Sequence, residues 1–139
     1  MQNKKVEIET VKEILKGIFE LCIKDKTSPW LELKKACDTV KIEYPKTLRY
    51  FDCIATRKCG KIKEGDVLTF DRFNIELEDQ QIYYFMLPHK NKTYEGWGQY
   101  NKTWDTITLI SDDNKLDELI IEVKDIIICA RLIQRTRDI

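Results

Sequence analysis

The chain has 139 residues, of which 42% are hydrophobic and 10% aromatic, enough for one packed domain or two small units sharing a core. No apolar run approaches the ~20 residues that span a bilayer, and the opening stretch MQNKKVEIE has no apolar secretory core. A cytoplasmic protein is expected, with no membrane partner.

The formal net charge of +0 hides an asymmetry. Residues 1–65 carry 15 Lys/Arg and 10 Asp/Glu, a balance of +5, and residues 66–139 carry the remaining 9 and 14, a balance of −5. Such a split points to a nucleic-acid face on the first half, or simply to an ordinary solvated surface.

In chain order, Val6 to Lys24 reads as a helix, with Val11, Ile14, Leu15, Ile18, Phe19 and Cys22 at three- and four-residue steps. Ser28-Pro29 starts a second helix, a capping serine before a proline, which runs to Val40 and buries Trp30, Leu33, Ala36, Cys37 and Val40. Pro45 starts a third, to Lys58, with Leu48, Phe51, Ile54 and Ala55 inward and Cys59-Gly60 as its stop. From there the period falls to two. Val67–Phe73, Asn74–Leu77, Ile82–Leu87, Trp104–Ile110, Leu119–Val123 and Ile126–Ile133 read as strands, and His89–Gly98 as a polar connection.

This order predicts an α+β fold. Residues 1–60 form a three-helix unit, helix-turn-helix or winged-helix-like. Residues 61–139 form a mostly antiparallel β-rich unit of five or six short strands, packed on the first as one compact domain.

On that reading the third helix lies in the DNA major groove. Lys46, Thr47, Arg49, Tyr50 and Arg57 face outward from it, and Lys58, Lys61 and Lys63 stand at a wing corner suited to phosphate. Between Lys41 and Lys63 there are seven Lys/Arg against Glu43 and Asp52, a local +5. The expected partner is double-stranded DNA. The plain alternative is a helical pack with a solvated basic face.

A second candidate is the aromatic set Tyr94, Trp97, Tyr100 and Trp104 around the glycines of GWG. It suits a protein partner, or a second copy, held by aromatic anchors. Packing under a hairpin is the alternative.

Other groups carry less. The odd set Cys22, Cys37, Cys53, Cys59 and Cys129 lacks metal-ligand spacing and reads as structural thiols, so no metal is expected. His89 has no partner in sequence. Asp112-Asp113-Asn114 is a turn, since a calcium loop needs a glycine and closing glutamate that are missing. Glu76, Glu78 and Asp79 make a solvated turn. No Gly-rich phosphate loop is present, and no cofactor is expected.

KIKEGDVLTFD, a strand ending YYFML, then TITLISDDN and the closing apolar strands Leu119–Val123 and Ile126–Gln134 together resemble the C-terminal domains of LexA and phage repressors. The resemblance covers roughly residues 53–135. It implies a β-rich domain that, in that family, cleaves itself with a serine about nine residues before the Gly-Asp pair and a lysine on a later strand. Counting back from Gly65 reaches Thr56, followed by Arg57, and the lysine position falls near Gly96 to Gly98. Lys92 and Lys102 flank that stretch without matching it. The resemblance thus implies the fold without the peptidase.

Two functions follow as expectations. One is a small DNA-binding regulator, of a phage or mobile element, with a non-catalytic repressor-like β module. The other is a protein-interaction module, antagonist or adaptor, that binds no DNA.

Overall fold

The computed structural model of the chain describes residues 21–56, 58–59, 61–89, 92–110 and 119–136. The expected first helix lies mostly outside these residues, and residues 21–25 are helical.

Helix α1, Pro29–Thr39, begins where the proline directs, but the Ser28 side chain makes no capping hydrogen bond. The helix ends with Lys41 in the left-handed region, at φ 59°, and the Ile42 N–H returns to the Cys37 carbonyl at 2.9 Å. Leu33 and Cys37 are buried with Tyr44 and Leu48 packed against them. Val40, expected inside, is the C-cap and is 60% exposed.

The three-helix unit is overturned at the third helix. Lys46–Leu48 is a single 3-10 turn, and β1 follows at once as Tyr50–Ile54. The reason is visible in the spacing. Phe51 and Ala55 lie four apart, which satisfies a helical stripe and a strand face equally. Along β1, however, burial alternates at each residue, and Ile54, required inside by the helical reading, is 65% exposed. Aromatic and β-branched residues favour this extended form.

The strands are β1, β2 (Val67–Asp71), β3 (Ile82–His89), β4 (Lys92–Asn101), β5 (Thr106–Ile110), β6 (Leu119–Glu122) and β7 (Ile127–Thr136). They form one seven-stranded sheet in the order β1-β2-β7-β3-β4-β5-β6, and every described pairing is antiparallel. The fold is therefore mainly a large antiparallel sheet with a helix against it. Strand pairing crosses residue 60, because β1 belongs to the same sheet as the rest.

Five strands fall in or near the expected runs. The other two do not: β1 was expected as helix, and β4 occupies much of the stretch read as a polar connection. Residues 74–77, expected as strand, are irregular.

Both faces of the sheet are buried over much of its area, which is why runs such as IYYFML show no polar alternation. On one face Leu68, Phe70, Ile82, Trp97, Ile110 and Ala130 pack together. On the other are Tyr83, Phe85, Tyr100, Ile107, Leu109 and Ile126. Each large side chain so buried contributes about 1.5–3 kcal/mol.

Strand β7 carries two register shifts. Tyr84 pairs with Ala130 and Phe85 with Ile128, so Cys129 is extra; Thr69 pairs with Gln134 and Phe70 with Leu132, so Ile133 is extra. Bulges of this kind bend a strand and change which residues share a face. They let Ile127 and Cys129 pack with Met86 near Trp30 of α1, while Ala130 and Leu132 join the Phe70 cluster.

Candidate functional site

Residues expected to read DNA are dispersed by the strand. Lys46 and Thr47 are exposed in the 3-10 turn before β1, and Lys58, Lys61 and Lys63 are exposed in the connection after it. The five residues of β1 separate the two groups by about 17 Å. Arg57 lies outside the described residues. Arg49 is engaged: its Nε and Nη2 donate to the two carboxylate oxygens of Asp71 at 3.1 and 3.2 Å. Its guanidinium also lies 4.9 Å from the ring centroids of both Tyr50 and Phe73. Tyr50 is 42% exposed at the sheet edge.

The aromatic set is divided as well. Trp97 and Tyr100 are both buried, on opposite faces of the sheet. Tyr94 is partly buried with the Lys92 ammonium 5.3 Å from its ring. Trp104 is 75% exposed, alone of the four, in the turn between β4 and β5.

The glycines around Trp97 are explained by packing. A Cβ on Gly96 would meet the Leu109 side chain at 2.3 Å, and one on Gly98 would meet the Thr108 carbonyl oxygen at 1.7 Å. Gly98 thus permits the close approach of β5, and no side chain fits there without moving backbone.

Arg72 joins the helix to the sheet. Its guanidinium lies 3.8 Å from the Trp30 ring and 4.4 Å from the Phe51 ring, and Nη1 donates to the Leu48 carbonyl at 2.7 Å. Burial pushes its pKa down. Beside it a cavity of about 110 Å³ is lined by Trp30, Phe51, Tyr84, Met86, Glu95 and Cys129. Tyr84 donates to Glu95 at 3.1 Å across this space. Burial, then the nearby Glu95 carboxylate, push the Tyr84 phenol well up, and burial pushes the Cys129 thiol up to about 12. Neither group is poised for acid–base or nucleophilic work near neutral pH.

A groove runs across the sheet among charged and polar groups. Its first part, about 490 Å³, has Cys59, Ile62, Ile82 and Leu132 as an apolar floor, with Gln80, Gln81, Gln99, Lys61, Arg135 and Asp79 around it. A second part of about 310 Å³ shares Asp79, Gln80 and Gln99 and continues to Tyr100, Asn101, Thr103 and Thr108. The groove crosses β7, β3, β4 and β5, three inter-strand spacings of ~4.8 Å, the reach of about four extended residues.

Gln80 stands where the two parts meet, in the left-handed region at φ 65°. Its N–H donates to the Tyr100 carbonyl at 2.9 Å, and its own carbonyl accepts from the Gln99 amide at 3.1 Å. A non-glycine residue held in that conformation costs about 1 kcal/mol or more, and such positions concentrate at functional sites.

None of this was legible locally. The groove residues come from widely spaced segments, and of the candidate binding residues only Lys61 and Tyr100 line it. The two adjacent glutamines after Asp79 were the available signal: polar residues directly before an apolar strand that begins inside the core.

Among the described residues no group of three or more His, Cys, Asp or Glu side chains is placed to hold a metal ion. No described helix is long and apolar enough to cross a membrane. Comparison with protein-family models, with curated proteins and with solved structures gives no match for this chain.

Proposed function

We propose that this protein is a protein-interaction module that holds an extended stretch of a partner polypeptide in the groove across its sheet. The observation that carries this reading is the groove itself: an apolar floor for side chains, bordered by glutamine, asparagine and threonine groups that can pair with a peptide backbone. Gln80, held left-handed at the junction of its two parts, fits a position kept for binding rather than for stability. On this reading residues 53–135 are a repressor-like β module put to binding, with Thr56 near the position of that family's serine and no lysine in the Gly96 to Gly98 stretch where its lysine would fall. No disulfide joins any of the five cysteines, which fits a reducing cytoplasmic setting.

Recognition of duplex DNA by a third helix is not part of this proposal, because that segment is a strand. The test is selection from a random peptide library on the intact chain, repeated with Gln80→Gly. Glycine keeps the left-handed turn and removes only the side chain. Peptides enriched on the native chain and lost on the variant, with stability equal to or above that of the native chain, support the groove. Equal enrichment on both, or none on either, refutes it.

A further inference from the structure

The charge of the groove is not even along its length, and this bears on what it holds if the peptide reading above is right. At the β7 end Lys61 and Arg135 line the wall. Arg135 is fixed there by donating to the Lys61 carbonyl and by standing 3.8 Å from an Asp66 carboxylate oxygen. Asp66 is buried and also accepts the Lys63 N–H at 2.9 Å. Lys58, Lys61 and Lys63 are exposed in the same connection. Described residues 58–66 with Arg135 carry four cations against Glu64 and Asp66, an excess of two. Asp79 lines both parts at their junction and accepts the Lys102 N–H at 2.9 Å, and the far end beyond it is lined by neutral amide and hydroxyl groups.

We infer that the groove takes an extended peptide with a run of aspartate or glutamate side chains at one end, and that this acidic end lies against Lys61 and Arg135. The excess positive charge attracts carboxylates to this end, while the far end beyond the junction offers only neutral groups, and that difference sets the direction of the bound chain. Charge here supplies direction and selectivity; the apolar floor and the amide rim supply the rest of the contact.

The test is fluorescence anisotropy of the full chain with capped, labelled peptides of about six residues, alternating valine and serine and ending in two aspartates, against the same peptide ending in two asparagines. The aspartate peptide is expected to bind about three- to tenfold tighter at low salt, the range of two partly exposed ion pairs, with the preference fading near 1 M salt. Lys61→Gln, whose side chain is exposed, should reduce the preference without affecting the fold, and Lys61→Gln with Arg135→Gln should abolish it. Equal affinity for the two peptides, both lost with Gln80→Gly, overturns the charge inference and leaves the groove reading standing. Binding of neither peptide overturns both. A short oligothymidylate that binds more tightly than either peptide, in a manner dependent on Lys61, overturns the inference in favour of single-stranded nucleic acid.

Discussion

Arg49 holds Asp71 at both carboxylate oxygens, 3.1 and 3.2 Å away, across the start of the β1–β2 pair. The same carboxylate accepts the Phe73 N–H at 2.9 Å, and the Asp71 side chain is only 9% exposed. A surface cation on a recognition helix would have no such duty; Arg49 closes a polar corner of the sheet.

Arg49→Ala should therefore destabilise the protein, by about 2 kcal/mol. A buried carboxylate losing its partner costs more than that, but the Arg49 side chain is 41% exposed and water recovers part of the loss. Lys46→Ala, a few residues earlier and exposed, should stay within about 0.5 kcal/mol. Urea unfolding of the two variants separates a structural arginine from a pair of equivalent surface cations.

Gly98→Ala should cost about 3 kcal/mol or prevent folding, because the added Cβ meets the Thr108 carbonyl oxygen rather than a side chain that can turn aside. Gly96→Ala meets the end of Leu109 and should cost less, about 1 kcal/mol. Thermal unfolding gives the order; a more damaging Gly96→Ala would show that β4 and β5 approach differently.

These two glycines also show what a reader of sequence alone misses. GWG looks like a turn, yet alternation puts Trp97 into one core and clears room on the other face for Leu109 and its neighbours. The third helix failed for a related reason: Leu48, Phe51 and Ala55 fit a helical stripe, and it is Cys53 turned inward with Ile54 turned outward that marks the segment as a strand. The long apolar strands near the end of the chain were legible because burial on both faces leaves little else for such runs to do. The groove was not, since its lining is assembled by the strand order β7-β3-β4-β5 and by no local motif.

Ser28→Ala should be neutral or slightly stabilising. A working N-cap serine loses about 1 kcal/mol on such a change, but this hydroxyl is buried with no hydrogen-bond partner among the described residues, and no cap bond is made. Removing an unsatisfied polar group relieves a cost. A loss of 1 kcal/mol or more in chemical denaturation would contradict the packing around α1.

Stability should fall as pH rises from about 9 towards 12. Burial holds the Cys129 thiol protonated to about 12 in the fold, against 9.0 for an ordinary thiol. Below pH ~9 both folded and unfolded chains keep the proton; above it the unfolded chain loses it first and is favoured, by at most about 1.4 kcal/mol per pH unit for one thiol. Cys129→Ala should shallow this slope without removing it, because burial also pushes Cys22, Cys37 and Cys59 up. Thermal unfolding from pH 8 to about 10 measures the effect before the tyrosines add theirs.

The groove is tested most directly by backbone amide chemical shifts during titration with the aspartate-ended peptide. Gln80, Gln81, Ile82 and Gln99 are predicted to shift together, with Lys61 moving at the acidic end. Shifts confined to the exposed edge of β1 or to Trp104, with those groove residues unmoved, would contradict the account.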